Sequence, residues 1–239
     1  ILQKMIKRLI DILLSALGLI FFSPILLFFM MLIWINDKKN PLYISTRVGK
    51  NDTEFFLIKL RSMVVDADKK NINSTSINDK RITRIGQKIR HYKLDELTQL
   101  WNVLLGDMSL VGPRPNVRGE TDLYTIEEKK LLSVKPGITD FSSIIFSDEG
   151  KILENEKNPD LAYRQLIRPW KSRLSLIYIK HQSTFLDLRL IAYTIISLFS
   201  KNIFFYLINL ELNRLNVSKD IIEISKRKKK LYPSHPPGY

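Results

Sequence analysis

A long apolar segment near the N-terminus constrains the fold of this chain more than any other feature. Residues Leu9 to Ile35 are almost entirely hydrophobic, and the exceptions are Asp11, Ser15, Ser23 and Pro24. As one straight helix, this segment would reach ~40 Å, which exceeds the ~30 Å hydrocarbon core of a bilayer. Asp11 is costly in lipid unless it is paired near the interface, for example with Lys7 or Arg8. The sequence therefore predicts a membrane segment.

A cleavable signal peptide is the less favoured interpretation of this segment. The basic residues Lys4, Lys7 and Arg8 resemble the start of such a peptide. However, the apolar run is too long for one, and the residues that follow it, Ile35 to Lys38, offer no small-residue cleavage site.

Pro24 leaves two topologies open. Proline lacks a backbone donor and kinks or breaks a helix, and Ser23 can hydrogen-bond a carbonyl oxygen that the break frees. The halves, Leu9–Phe22 and Ile25–Ile35, are each too short to cross a bilayer alone. Basic residues flank both ends of the segment, so the positive-inside rule gives no direction. A kinked span and a re-entrant helical hairpin, which enters and leaves on the cytoplasmic side, both fit.

The composition narrows the chemistry and the partners. The 239 residues allow one large domain or two small ones, and 38 basic against 24 acidic side chains give a net charge of +14. Such an excess suits nucleic acid, anionic lipid headgroups or phosphorylated substrates. The absence of cysteine excludes disulfides, zinc–thiolate sites and a cysteine nucleophile. Because no helix-turn-helix, RNA-recognition or zinc-finger pattern accompanies the charge, we expect no nucleic-acid partner.

Turn residues and periodicity outline the part of the chain that follows the apolar segment. Short strands are expected at Tyr43–Ser45 and Phe55–Ile58, joined by a turn at Gly49–Asp52. The polar stretch Lys69–Lys80 is expected to be an exposed loop, and a basic helix is expected at Ile85–Arg90.

The second half of the chain is expected to be helical. A short helix is predicted at Glu127–Leu132, and a longer one at Pro159–Tyr178 with an interruption at Pro169. Charged residues within Leu186–Leu210 argue against a second span and for a core or interfacial helix. Beside a membrane anchor, the basic run Lys226–Lys230 is expected to contact anionic lipid.

Two adjacent carboxylates, Asp95 and Glu96, begin the chemically most informative segment. An amphipathic helix is predicted after Asp95, with Gly106 as its C-cap. Taken singly, Asp95 is explained as a helix N-cap and Glu96 as a favourable first-turn charge. Taken together, carboxylates at a helix N-terminus stay ionised, which suits a nucleophile or a Mg²⁺ ligand at a phosphate.

Attack on a phosphate brings two anions together, so such a site needs positive charge. Pro113 and Pro115 fix the backbone around Arg114, whose guanidinium can hold a phosphate through two hydrogen bonds. The simpler interpretation of this loop is a rigid turn with a solvent-facing arginine. The candidate phosphate-binding cations are Lys59, Arg61, Arg90 and Arg114.

These residues resemble the bacterial sugar transferases, the small monotopic phosphoglycosyl transferases that act on polyprenyl phosphate. The segment Asp95–Pro115 is similar to the signature of that family. Further similar blocks lie before and after this segment, in the order in which the family has them, so that the resemblance extends from about residue 4 to about residue 195. They are Lys7–Asp11 with Ser23–Pro24, Arg47–Gly49, Lys59–Met63, Lys135–Thr139, Tyr178–Lys180 and Phe185–Leu188.

The resemblance implies a mechanism. Asp95 would attack the β-phosphate of a UDP-sugar, release UMP and form a covalent aspartyl phosphosugar. Polyprenyl phosphate, such as undecaprenyl phosphate, would then take over the phosphosugar and start a surface glycan. Asp95 and Glu96 would hold Mg²⁺, and the phosphates would be contacted by Lys59, Arg90 and Arg114. The Ser23–Pro24 break would favour the re-entrant hairpin, with the site at the cytoplasmic face of the inner membrane.

The expected fold is therefore α+β and mostly helical. It would comprise a re-entrant membrane helix-hairpin over residues 1–36, a catalytic domain with a small β-hairpin over 37–215, and a basic tail over 216–239. After Thr139, many family members continue with Gly-Trp and a Gln-Val-Asn-Gly-Arg run, where this chain has Asp140–Glu149. The identity of the sugar therefore does not transfer. The chain resembles the minimal catalytic form of the family, although it begins with Ile1 rather than Met, which leaves the true N-terminus open.

Three alternatives stay open at the level of sequence. The first is a single-span protein whose basic domain binds nucleic acid or lipid without catalysis. The second is a structural subunit with an inactive transferase fold, against which the intact Asp95–Glu96 pair argues. The third is direct transfer without a covalent intermediate, in which Asp95 acts as a metal ligand.

Overall fold

The computed structural model describes residues 2–67, 75–76, 78–154 and 156–239. One long helix, α1 (Leu2–Asp37), packs against a mostly helical domain with two small β-sheets. The strands are β1 (Leu42–Val48), β2 (Glu54–Leu60), β3 (Ser109–Val111) and β4 (Gly137–Thr139). The other α-helices are α2 (Arg84–His91), α3 (Leu94–Leu97), α4 (Gln99–Leu105), α5 (Arg118–Thr121), α6 (Phe141–Ile145), α7 (Glu149–Ile152), α8 (Pro159–Ala162), α9 (Arg168–His181), α10 (Thr184–Phe199), α11 (Lys201–Arg214) and α12 (Lys219–Ser225). The predicted loop at Lys69–Lys80 lies largely outside the described residues.

The membrane segment forms one continuous helix. Pro24 lies inside α1, which continues on both sides of it. The choice between a kinked span and a re-entrant helical hairpin stays a prediction. Because proline has no N–H, the carbonyl group of Ile20 loses its usual donor, and the Ser23 hydroxyl donates to that oxygen at 2.8 Å. The prediction that Ser23 satisfies a freed carbonyl is thus confirmed.

α1 is fastened to the domain near both of its ends. Near the N-terminus, Lys7 Nζ lies 2.7 Å from a carboxylate oxygen of Asp187 on α10. At the C-terminus, Asp37 receives two hydrogen bonds from the guanidinium of Arg61, at 2.6 and 2.7 Å. Between these ion pairs, the inner face of α1 packs with its own small apolar cluster, formed by Leu26, Ile33, Leu60, Ile89 and Leu94.

Asp11 is buried on this inner face and is satisfied by the domain. Its carboxylate accepts hydrogen bonds from the Ser109 hydroxyl at 3.1 Å and from the Leu110 backbone N–H at 2.9 Å. The expected pairing with Lys7 or Arg8 is wrong, because Lys7 pairs with α10 and Arg8 donates to two carbonyl oxygens at the end of α4. Asp11 therefore docks the helix onto β3.

The outer face of α1 is apolar and exposed. Only 11% of its most hydrophobic 18-residue window is buried. Within the described ranges, α1 is the one helix that is long and apolar enough to cross a membrane by length and composition. This large apolar surface, which no other element covers, indicates membrane association.

The predicted β-hairpin is confirmed, and its strands are longer than expected. β1 and β2 pair antiparallel, from Leu42 opposite Leu60 to Val48 opposite Glu54. A short 3₁₀ turn, Lys50–Asp52, forms the tip of the hairpin. The basic helix is also confirmed, as α2.

The helices of the second half enclose the main hydrophobic core. Its fully buried side chains include Val103, Met108, Phe141, Tyr178, Leu190 and Ile208. Helical structure is confirmed near Glu127–Leu132, where a 3₁₀ segment occupies Glu128–Ser133. The expected interruption of the long helix is a π-helical turn, Tyr163–Ile167, and Pro169 lies in the first turn of α9.

The predicted stretch Leu186–Leu210 forms two helices, α10 and α11, which are separated by Ser200.

The last residues of the chain fold back onto the domain. Within the basic run, the Arg227 guanidinium lies 3.2 Å from Asp148. Beyond that run, the His235 carbonyl accepts a hydrogen bond from the Arg173 side chain at 2.8 Å.

Candidate active site

Asp95 and Glu96 lie in the first turn of α3. The residue before this helix, Lys93, has a left-handed backbone with φ of 54°, which costs a non-glycine residue roughly 1–2 kcal/mol. Asp95 lies inside the helix rather than at its N-cap, so the capping interpretation is wrong. Within the part of the chain that the structure describes, its carboxylate accepts no hydrogen bond. Asp95 is therefore open to a ligand.

Two cations approach a single oxygen of Glu96. Arg114 Nη2 donates to Oε1 at 2.6 Å, and Lys59 Nζ lies 3.7 Å from the same oxygen. Burial alone would raise the pKa of Glu96, but Arg114 and Lys59 outweigh it and hold this pKa well below the usual range. Glu96 therefore stays ionised, and both of these contacts are made to Oε1 rather than to Oε2.

Asp95 experiences the opposite balance. Burial raises the pKa of its carboxyl above the usual value, and the nearby charge of Glu96 adds to the rise. Lys59, Arg90 and Arg114 each pull this pKa down without cancelling the rise. The two adjacent carboxylates are thus unlike, because Glu96 is held in an ion pair, while Asp95 has a raised pKa and no hydrogen bond to its carboxylate in the described chain.

Lys59 reaches the carboxylate dyad, Asp95 and Glu96, because hydrogen bonds join β2 to α4 and to Thr98, the residue between α3 and α4. The Asn102 side chain on α4 donates to the Phe56 carbonyl at 2.7 Å and accepts from the Ile58 N–H at 3.0 Å. The Thr98 hydroxyl donates to the Ile58 carbonyl at 2.9 Å. The sequence analysis missed this contact, although a polar Asn102 among the apolar positions of α4 was the available signal. Burial, together with the charge of Arg114, lowers the pKa of Lys59 to about 8.

Arg114 is held by two strands that approach unusually closely. β3 and β4 are parallel, and the Gly137 N–H donates to the Pro113 carbonyl at 2.9 Å. A Cβ atom on Gly137 would lie 2.0 Å from the backbone nitrogen of Gly112, so only glycine fits there. The solvent-facing interpretation of Arg114 is wrong, because its guanidinium points at Glu96.

The structure brings three of the four predicted cations to the dyad. Lys59 and Arg114 contact Glu96, and Arg90 is close enough to lower the pKa of Asp95. Arg61 lies elsewhere, since both ends of its guanidinium are taken by Asp37 at the end of α1. Its contacts give no support to the predicted phosphate-binding role.

The carboxylate pair is chemically suited to Mg²⁺. Among the described residues there is no cluster of three or more acidic or histidine side chains that could hold a metal. Mg²⁺ bound with a phosphate substrate commonly takes only one or two carboxylates, and completes its shell with phosphate oxygens and water. The open carboxylate of Asp95 and Oε2 of Glu96 fit that ligand set.

Arg114 also lines a pocket that the sequence analysis missed. Its walls include Arg114, Tyr163 from the π-helical turn, and Lys171 from α9. Lys171 Nζ lies 2.5 Å from Oε2 of Glu149, at the start of α7. The pocket therefore adjoins the dyad through Arg114.

Comparison with known proteins identifies the group to which this site belongs. The sequence model of the family described as "Bacterial sugar transferase" matches residues 2–201. A Bacillus subtilis protein provisionally named an undecaprenyl-phosphate N-acetylgalactosaminyl 1-phosphate transferase is 42% identical over 134 residues, which are 56% of this chain and 71% of that protein.

Two longer relatives carry other sugars in their names. The undecaprenyl-phosphate glucose phosphotransferase of Komagataeibacter xylinus is 36% identical over 206 residues, 83% of this chain and 37% of that protein. The UDP-galactose-lipid carrier transferase of Erwinia amylovora is 37% identical over 154 residues, 57% of this chain and 32% of that protein. The chain thus spans about a third of the length of these two relatives. The extent of the family match shows that this chain belongs to the bacterial sugar transferase family.

Proposed function

We propose that this protein transfers a phosphosugar from a UDP-sugar to polyprenyl phosphate. The products would be UMP and a polyprenyl-diphosphate-linked sugar that initiates a surface glycan. The observation that carries the proposal is the open carboxylate of Asp95, set beside Glu96 and three cations and next to a membrane helix. The names of the relatives, which combine undecaprenyl phosphate with phosphosugar transfer, support the same reaction class.

In the first step, a carboxylate oxygen of Asp95 attacks the β-phosphorus of the UDP-sugar. A bond forms between that oxygen and phosphorus, and the phosphoanhydride bond to the α-phosphate breaks, so that UMP leaves with the bridging oxygen. Arg114 and Lys59 offset the negative charge of the diphosphate, which otherwise repels the attacking carboxylate. Poor solvation of Asp95 favours attack, since little water must be removed from its carboxylate.

In the second step, a phosphate oxygen of the polyprenyl phosphate attacks the phosphorus of the aspartyl phosphosugar. The acyl phosphate bond breaks and Asp95 is regenerated as a carboxylate. Mg²⁺ held by Asp95 and Glu96 would supply further positive charge for the phosphate oxygens. Lys59, Arg90 and Arg114 keep the transferred phosphate near Asp95 in both steps.

We propose that α1 enters and leaves the membrane on the cytoplasmic side, where nucleotide sugars are made. The supporting observation is that Lys7 near its start and Asp37 at its end both pair with the one domain that carries the dyad. Its bare apolar face would lie in lipid, and the isoprenoid acceptor would reach Asp95 from the inner membrane.

The test is UMP release from a panel of UDP-sugars by the full chain in nanodiscs with Mg²⁺ and undecaprenyl phosphate. We expect release with at least one donor, and its loss in Asp95→Asn, because the amide is not a nucleophile. Asp122→Asn, a matched change at an exposed carboxylate, should release UMP normally. A donor labelled in the β-phosphate should label Asp95 when the acceptor is omitted. UMP release that occurs only with the acceptor, without labelled protein, would instead indicate direct transfer.

A further inference from the structure

We propose that the pocket between Arg114 and α9 binds the sugar of the donor, and that Glu149, Lys171 and Tyr163 distinguish its pattern of hydroxyl groups. This inference rests on the proposed function and names the part of that site that selects the donor. The reacting phosphate would lie on the dyad side of Arg114, and the sugar on the pocket side.

The first argument is proximity to the reacting centre. Arg114 contacts Glu96 with its guanidinium and also forms part of the pocket wall. Lys171 lines the same pocket, and its ammonium group binds Glu149 at 2.5 Å. The charges of Glu149 and Arg114 are close enough to shift each other's pKa, so these groups belong to one electrostatic unit. A sugar attached to the β-phosphate could reach both.

The second argument is the kind of hydrogen bond that the pocket offers. In its lining, Ser142 and Ser175 both donate their hydroxyl hydrogens to the buried carboxylate of Asp140, at 2.8 and 2.6 Å. Their oxygens are thereby left as acceptors toward the cavity. Glu149 lies behind this lining, where its Oε2 accepts a hydrogen bond from the lining residue Lys171. A ligand that donates several hydrogen bonds suits this lining, and a sugar with free hydroxyl groups does so.

The lining also offers a donor, the hydroxyl group of Tyr163. Burial, with the nearby charges of Glu149 and Glu120, raises the pKa of Tyr163, so its hydroxyl keeps its proton. This hydroxyl donates to no other group within the described chain. Tyr163 opens the π-helical turn Tyr163–Ile167, and such turns interrupt helices at functional sites more often than elsewhere. Tyr163 lines the same pocket as Lys171, whose ammonium nitrogen lies 5.7 Å from the centre of the Tyr163 ring.

The third argument concerns which part of the donor varies. Two of the relatives are named for undecaprenyl phosphate and the third for a lipid carrier, so a lipid acceptor is common to all three names. The sugars in these names differ, and are N-acetylgalactosamine, glucose and galactose. Specificity among such sugars must come from contacts with hydroxyl or acetamido groups. A partly buried carboxylate–ammonium pair is suited to this, because a hydroxyl group of the wrong configuration leaves a charged partner unsatisfied.

The test measures kcat/KM for UMP release with UDP-glucose, UDP-galactose and their N-acetylated counterparts. We expect Glu149→Gln to lower kcat/KM for the best donor by about 10- to 150-fold, the loss typical of one hydrogen bond to a charged group, and to lower it less for the other donors. Tyr163→Phe removes one hydroxyl without changing the shape of the side chain, and should also change the donor ratios. Glu156→Gln, at an exposed carboxylate of the same segment, is the matched control and should leave the ratios unchanged.

Inhibition by UDP separates the sugar from the nucleoside. If the pocket binds the sugar, UDP should inhibit the parent and the two pocket variants equally. Weaker inhibition by UDP with unchanged donor ratios would assign the pocket to the nucleoside and overturn the inference. Equal losses for every donor in both variants would assign the residues a positioning role at Arg114, which also overturns it. If the parent releases UMP from no donor, the proposed function itself fails, and this inference fails with it.

Discussion

The adjacent carboxylates Asp95 and Glu96 differ because the cations are distributed unevenly between them. Arg114 and Lys59 both approach Oε1 of Glu96, while the Asp95 carboxylate lies in the same turn without a hydrogen-bond partner in the described chain. Glu96 therefore fixes the cations, and Asp95 is left as the group that can react. A substrate phosphate would draw the same cations toward Asp95, since it competes with Glu96 for them.

Lys59 should set the alkaline limit of activity. Its pKa is lowered from 10.5 to about 8 by burial and by Arg114, so the ammonium is charged below pH 8 and neutral above it. UMP release should therefore fall as the pH rises through about 8. Between pH 8 and 10.5, the Lys59 side chain is protonated in the unfolded chain but largely neutral in the folded one. Its contribution to the free energy of unfolding therefore increases as the pH rises. The loss of activity above pH 8 is thus not explained by a loss of stability due to Lys59.

Lys59→Arg tests this assignment, because a guanidinium stays charged throughout the range. The alkaline limb of the pH–rate profile should move to higher pH in this variant, even if its maximal rate is lower. Lys88→Arg, a matched change at an exposed lysine, should keep the original limb. An unchanged limb in Lys59→Arg would mean that another group titrates near pH 8.

At the scale of secondary structure, two short parallel strands do the most to place the site. β3 and β4 hold the loop of Arg114, while β2 brings Lys59 and α3 brings the dyad. The parallel pair depends on a backbone approach that any side chain at Gly137 would prevent. Substitution there should disturb Arg114 without touching a charged group.

Gly137→Ala should destabilise the protein by about 1–3 kcal/mol, the usual cost of overpacking, because its Cβ would overlap the Gly112 backbone. We expect a lower midpoint in chemical denaturation together with slower UMP release. Gly119→Ala is the matched control, since no atom lies within 4 Å of a Cβ there, and it should be neutral or slightly stabilising. Equal stability of the two variants would contradict the close approach of the strands.

What could be read from the sequence was local. Alternation and turn residues predicted β1 and β2, and adjacent acidic residues with a proline-framed arginine predicted Asp95, Glu96 and Arg114. The missed features join distant parts of the chain. Lys7 and Asp187 are 180 positions apart, and Asn102 reaches back 44 positions to Ile58. No local pattern specifies such pairs, because any polar side chain on a buried face has many candidate partners.

Arg61 also shows that proximity in sequence does not specify which group a side chain contacts. As a basic residue near Lys59, it was grouped with the phosphate-binding cations. Alternation along a strand would place residues two positions apart on the same face, but β2 ends at Leu60, so strand geometry no longer fixes the direction of the Arg61 side chain. Lys59 faces the dyad, and Arg61 faces the end of the membrane helix at Asp37.

At the scale of the whole molecule, α1 packs along the domain and contacts it near both of its ends. Its 36 residues would measure about 54 Å if straight, well beyond the ~30 Å of a hydrocarbon core. Ion pairs at both ends and an apolar cluster between them tie the helix to one domain. A helix that crossed the bilayer upright would have to pull one of these charged contacts through lipid, which costs several kcal/mol or more.

Both ends of α1 should therefore be accessible from the same side of the membrane. Lys4→Cys and Lys39→Cys place single thiols at exposed positions near these ends of a chain that has no cysteine. A membrane-impermeant maleimide should label neither thiol in intact spheroplasts and both in inside-out vesicles. Lys88→Cys, exposed on α2, reports the side of the catalytic domain and should follow both ends. Labelling of Lys4→Cys and Lys39→Cys from opposite sides would establish a span, and would require the contacts of Lys7 or Asp37 with the domain to be broken in the membrane.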